Sequence, residues 1–170
     1  MSDEVQNVKD QMGLFQKVAS YIPGYHGYKE KEIRRETDRL VRYTASGLMA
    51  KALEEYRRPL LFLTLPAPDR DSADSIMARL DTVRERTARA VSGYSGIFDA
   101  VKVMEPRLDK LVELDGNLIE AAQALLTACQ GLDVPSPTVD AFRAGSSTVL
   151  GDIQKIEGVL EDRESLLKNP

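Results

Sequence analysis

The chain has one histidine, His26, set between two tyrosines in Ile22-Pro23-Gly24-Tyr25-His26-Gly27-Tyr28. With Tyr25 and Glu30 nearby, an imidazole there could act as a general acid or base. One histidine provides neither a two-histidine metal site nor a relay with a spare. The Glu-x-x-His pairs that build di-iron centres in helical bundles do not occur. His26 is therefore expected to be an exposed loop residue. Cys129, the single cysteine, stands among apolar residues at helical spacing, where a thiol behaves as a small buried hydrophobe. Glu32 and Glu36 would stack on one helix face as acid ligands, but Arg34, Arg35 and Arg39 compete for them, so a salt-bridged surface is expected. The stretch Gly24–Lys31 lacks the Gly-Lys-Ser/Thr ending of a phosphate loop. This inventory points to no catalytic residue, no metal site and no bound cofactor, hence to a protein that is not an enzyme.

Composition narrows the class further. A chain of 170 residues suits one domain with a real core. Hydrophobic and charged contents of 42% and 29% describe a folded chain and not a disordered one. The net charge of −4 argues against nucleic acid as a general partner, because such binding needs a concentrated basic surface. A lone cysteine closes no internal disulfide, and the start Met-Ser-Asp-Glu is acidic where a signal peptide is basic and then apolar. The longest apolar run, Leu60 to Leu65, is too short to span a bilayer. A cytoplasmic location is expected.

The elements that would hold these residues all carry helical periodicity. A first helix runs from a Ser2 cap through Val5, Val8, Met12, Phe15, Ala19 and Ile22 to a stop at Pro23-Gly24. A second starts near Tyr28 and buries Ile33, Thr37, Leu40, Val41, Thr44, Leu48, Ala52 and Leu53. Its exposed faces are assigned Glu30/Arg34, Lys31/Arg35 and Asp38/Arg42. The first and last are acid-before-base pairs, each contributing about 0.2–0.5 kcal/mol on a helix surface. Pro59 either kinks or ends this helix; a kink is favoured, since a lone strand beyond it would find no partner. Pro66 to Asp71 reads as a turn. The third helix, capped by Asp71 or Ser72, follows Ile76, Leu80, Val83, Thr87, Ala90, Val91, Tyr94, Ile97 and Phe98 to about Val103.

The fourth helix has Pro106 in its first turn and Leu108, Leu111, Val112, Leu118, Ile119, Ala122, Leu125, Leu126 and Cys129 on its core face; Gly131 ends it. The fifth begins at Ser136-Pro137 and keeps a nearly strict heptad: Val139, Phe142, Ser146, Val149, Ile153, Ile156, Leu160, Arg163, Leu167. That spacing favours long antiparallel packing. No segment alternates like a strand. The expectation is one all-α domain over 1–170, an elongated antiparallel bundle of about five helices.

Gly24 and Gly93 each open a Gly-Tyr-x-Gly, and both stretches reach Asp-basic-Leu-Val, at Asp38–Val41 and Asp109–Val112. An eroded helical-hairpin repeat over 24–43 and 93–114 would explain this, and so would coincidence. Gly24, Gly27, Gly93 and Gly96 permit positive φ or close backbone approach, which suits structural corners. Tyr25 and Tyr28 can bury their rings while the hydroxyls find a polar partner. Two readings stay open. One is a rigid corner that sets the angle between the first two helices. The other is a recognition surface of Tyr25, Tyr28, Arg34, Arg35 and Arg39, residue types favoured at protein interfaces.

The segment Ile-Pro-Gly-Tyr-His-Gly-Tyr-Lys-Glu-Lys-Glu-Ile-Arg-Arg-Glu (22–36), with Asp38 and Arg42 after it, resembles one in an uncharacterised family of prokaryotic helical proteins. The later Gly-Tyr-Ser-Gly-Ile-Phe-Asp-Ala-Val-Lys (93–102) is similar to a second segment of that family. The resemblance covers these two stretches only. It implies a helical, cytosolic protein, and it brings no activity, ligand or catalytic residue. His26 falls at a variable position of the pattern.

The function expected from these readings is a non-catalytic interaction or scaffold module with a protein partner. Self-association through the heptad faces of the third and fifth helices is a further expectation. The alternative is a peripheral membrane protein using the amphipathic stretch Met12–Gly24. Against it, residues 1–22 carry Lys9 and Lys17 but also Asp3, Glu4 and Asp10, 2 − 3 = −1, with no basic flank for anionic lipid.

Overall fold

A computed structural model of the chain describes residues 12–13, 15–28, 34–89 and 105–168. All regular structure among them is helical. A helical stretch at 15–21 precedes α1 (Arg34–Arg57), a 3₁₀ turn (Pro59–Leu61), α2 (Ala67–Ala88), α3 (Glu105–Gln130) and α4 (Val139–Lys168). Gly93, Gly96 and the rest of the second corner, together with Ile33, lie outside the described residues.

The ends of these helices follow from proline and capping chemistry. Of the two outcomes open at Pro59, a kink or an end, the helix ends there and the favoured kink does not form. Pro59 has no N–H to continue the ladder, and the chain tightens into 3₁₀ hydrogen bonds, Leu61 N to Arg58 O (3.1 Å) and Phe62 N to Pro59 O (3.2 Å). The stretch Pro66–Asp71, expected as a turn, is instead mostly the first turns of α2. Pro66 is the residue before it, and Arg70 N donates to Pro66 O at 3.0 Å. Neither Asp71 nor Ser72 caps this helix, because prolines occupy the positions where a free N–H is not needed. α2 ends at Ala88, short of Val103, as Arg89 turns to extended φ/ψ (−72°, 123°). At α4 it is Thr138, and not Ser136, that caps: its Oγ1 accepts from Ala141 N at 3.2 Å.

The helices close a ring in which α1 packs on α2 and α3, and α4 packs on the same two. α1 and α2 form an antiparallel hairpin, with Arg42 beside Ala88. α3 and α4 form another, with Asp115 against Arg163. The hairpins lie side by side so that α2 runs parallel to α4. Three ion pairs mark that seam in step: Asp69–Arg143, Arg79–Glu157 and Arg86–Glu164.

The core takes Val41, Ala45, Met49, Ala52 and Tyr56 from α1, with Leu80 and Val83 from α2. α3 adds Leu118, Ile119 and Leu125, and α4 keeps its heptad from Phe142 to Leu160. Each fully buried Leu, Ile or Met contributes about 1.5–3 kcal/mol relative to exposure. The stripe of α1 is rotated from the expected one. Leu40, Thr44 and Leu48 sit half-buried at its edge, while Asp38, Arg42 and Ser46 turn inward. The assignment of Asp38/Arg42 to an exposed face is thereby corrected. Val18 and Ile22 of the N-terminal stretch are fully buried against the bundle. Of its expected stripe, Ile22 is buried and Ala19 half-buried, Met12 and Phe15 are exposed, and Val5 and Val8 lie outside the described residues. No described helix is long and apolar enough to cross a membrane.

Candidate functional site

The first tyrosine–glycine corner is built by two backbone reversals. Gly24 and Gly27 adopt φ of +81° and +72°, a region closed to most side chains. A Cβ on Gly27 would also come within 2.9 Å of the Phe15 ring. The reversed loop is tied to the start of α1 from both sides. Thr37 Oγ1 donates to Gly27 O at 2.9 Å, and Arg34 Nε donates to Tyr28 O at 2.7 Å. These ties send both tyrosine rings into the bundle, edge to face with centroids 6.5 Å apart, and Phe15 packs on Tyr25 at 5.5 Å.

Inside, the tyrosines meet four buried charged residues from three helices. Tyr25 OH donates to Asp115 Oδ2 at 3.1 Å. Arg163 of α4 binds Asp115 Oδ1 through Nε (2.9 Å) and Nη2, and Nη2 also donates to the Tyr28 hydroxyl at 3.2 Å. Arg163 Nη1 reaches across the bundle to Asp38 Oδ1 of α1 at 3.2 Å. The other Asp38 oxygen takes Arg42 Nε at 2.8 Å and Nη2 at 2.7 Å. Arg42 Nη1 then donates to Ala88 O at 3.2 Å, satisfying a carbonyl at the C-terminal end of α2. Two carboxylates and two guanidiniums balance, 2 − 2 = 0, and no buried side-chain nitrogen or oxygen among the described residues lacks a partner.

Electrostatics in this junction follow from burial and pairing. Burial pushes the Tyr25 and Tyr28 hydroxyls well above the usual phenol range, and the adjacent Asp115 carboxylate adds to it. Both therefore stay protonated. Burial also raises the Asp115 carboxyl, against the pull of Arg163. For Arg163, burial works against the charge, but Asp115, Tyr28 and Asp38 outweigh it and hold the guanidinium above its ordinary value. The result is a neutral, closed, fully paired network. It holds a folded arrangement and offers no reactive group: its hydroxyls are locked as neutral partners and its carboxylates are occupied.

The residues expected to form a recognition surface divide accordingly. Tyr25 and Tyr28 are inside and are corrected to structural keys, because Asp115 and Arg163 give their hydroxyls a buried destination. Arg34 is half-buried on the Tyr28 carbonyl, and Arg35 and Arg39 are exposed. Of the residues weighed for chemistry, His26 is exposed in the loop. Cys129 is buried, with its thiol pushed up to about 12 by burial. Among the described residues no group of three or more His, Cys, Asp or Glu side chains could hold a metal ion.

Sequence reasoning missed the centre of the junction. One signal was available: Arg163 stands in the same heptad register as Leu160 and Leu167, and a charge there must find a buried partner. A second was that the 3–4 spacing of the true α1 stripe (45, 49, 52, 56) runs back through Arg42 and Asp38.

Large apolar side chains are exposed at several places, Met12, Phe15 and Val134 among them, and most fully at two. On the outside of α1, Tyr43 is 76% exposed, one turn beyond Arg39 and two beyond Arg35. At the other end of the bundle, Leu61 and Phe62 are 75% and 83% exposed on the turn between α1 and α2. In comparisons with protein families, curated proteins and solved structures, nothing matched the chain.

Proposed function

We propose that the chain is a non-catalytic protein-interaction module whose binding face is the outer side of α1. The observation that carries this reading is the exposed row Arg35, Arg39 and Tyr43, spaced i, i+4, i+8 and so stacked along one helix face. Arginine and tyrosine are the side chains that most often carry binding energy at interfaces. The face is supported from below: Thr37, Asp38 and Arg42, on the same turns, are locked into the corner and the buried junction. A helix fixed in this way loses little further freedom when it binds. The row suits a protein surface that offers carboxylates beside an apolar pocket for the Tyr43 ring.

The test is position-specific photo-crosslinking in extract of the source cells. A photoreactive phenylalanine analogue in place of Tyr43 is expected to trap a discrete protein. The same probe at Ala144, exposed on α4, is expected not to trap it. Arg39→Glu should abolish the trapping while circular dichroism and melting stay unchanged. Identical background captures from both positions would end the reading.

A further inference from the structure

We infer that two copies of this chain associate through the turn between α1 and α2, each inserting Phe62 into a groove of the other. The inference goes beyond the interaction reading above, since it uses the opposite end of the bundle.

The turn that carries Leu61 and Phe62 is ordered by its own backbone. Besides the two 3₁₀ bonds, Leu63 N donates to Pro59 O at 2.9 Å. The apolar knob is thus preformed and stands in water, at a cost that association would relieve. Beside it lies a groove of about 390 Å³ floored by Leu63, Leu65 and Met77 and rimmed by Arg57, Arg70 and Asp74. Leu61 lines the groove on its own chain, whereas Phe62, beside it, does not and stands free as the knob.

Knob and groove on one face make the surface self-complementary. A two-fold axis satisfies both at once, because residue i meets j and j meets i. The rim fits the same operation. Arg57, Arg70 and Asp74 have no ionic partner among the described residues, and the rim carries both signs. A second copy brings Arg70 of one chain to Asp74 of the other, twice. A purely acidic partner would set its own charges against Asp74, and a purely basic one against the arginines. A contact centred on so few residues is at the small end of specific interfaces, below about 1,200 Å², and gives a weak, concentration-dependent dimer.

Sedimentation velocity of the intact chain over an about hundredfold concentration range tests this. The weight-average sedimentation coefficient is expected to rise towards that of a dimer. Phe62→Asp should hold it at the monomer value with helicity unchanged, since the side chain is exposed. Arg70→Asp alone and Asp74→Arg alone should each weaken association by about tenfold or more through like-charge contacts. The combined Arg70→Asp, Asp74→Arg chain should regain wild-type association, a rescue that only reciprocal pairing between copies produces. A monomer at every concentration overturns the inference. So does a dimer indifferent to Phe62→Asp, or a double exchange that fails to rescue. The Phe62→Asp chain should still crosslink through position 43, so failure of the dimer and failure of the partner face are separable.

Discussion

Tyrosine hydroxyls cross the bundle diagonal near both ends, and the two ends handle them differently. Where α1 approaches the start of α4, Tyr56 OH shares one 2.8 Å hydrogen bond with Ser146 Oγ, its ring tilted on Phe142 with centroids 5.5 Å apart. At the corner end Tyr25 and Tyr28 enter a network of Asp115, Arg163, Asp38 and Arg42 that touches every helix of the ring. The neutral pair is an isolated contact whose two members can be deleted together. In the charged junction each member's burial depends on the others, so no single one can leave without exposing a charge to the interior. Buried ion networks of this kind are weak evidence for stability but place strict demands on register. Here Arg163 can meet Asp115 and Asp38 together only when α4 is docked in one axial position against α3 and α1. The apolar heptad alone would tolerate a slip of one repeat.

The sharpest way to break the comparison is Arg163→Met. It leaves Asp115 and Asp38 buried without their shared cation, and the expected loss is about 3–5 kcal/mol in urea unfolding. Replacing Arg163 with Met and Asp115 with Leu together should recover part of that loss, since the uncompensated charge at Asp115 is then gone. A loss under about 1 kcal/mol for Arg163→Met alone would mean that the four charges are not interlocked.

A smaller effect separates the two kinds of tyrosine. Tyr25→Phe deletes the donor to Asp115, which should cost about 1.5–3 kcal/mol because the hydrogen bond goes to a charged group. At the opposite end, Tyr56→Phe combined with Ser146→Ala removes both partners of a neutral bond and should cost under about 1 kcal/mol. Chemical denaturation of the two variants side by side decides it. Equal losses would erase the distinction between the ends.

How much of this was legible in the chain depends on where the deciding partner lies. The bundle and the run of α4 were readable because apolar side chains at threes and fours specify their own burial. Arg163 was even placed in the right register. The burial of Asp38 and Arg42 was not readable, since an acid followed four residues later by a base is what any solvated helix face shows. Only Arg163, 125 positions away, distinguishes the cases. Tyr25 and Tyr28 were equally ambiguous: an aromatic with a hydroxyl suits an interface or a core, and Asp115 settles it from another helix. Whether Pro59 kinks or ends α1 was not readable from the proline alone, which permits either; the return of α2 along α1 makes it an end.

The smallest effect concerns the parallel seam between α2 and α4, which unlike the junction is held by pairs in water. Hydrogen bonds from Arg143 and Arg79 hold the Asp69 and Glu157 carboxyls below their ordinary values of 3.8 and 4.5. A carboxyl whose folded pKa is depressed adds stability that is present above its unfolded pKa and is lost as pH falls through the folded one. These two groups therefore make the protein melt earlier as pH drops below those ordinary values. Asp115 runs the opposite way. Its raised value means that the folded state takes up the proton more readily than the unfolded chain, so it does not cause the acid loss. Melting temperature against pH for the intact chain and for Asp69→Asn with Glu157→Gln should thus converge in acid and separate slightly towards neutrality. The separation should shrink in high salt, because these pairs are exposed and screened. A gap that persists in acid would place their contribution in packing and not in charge, and the seam would then resemble the junction after all.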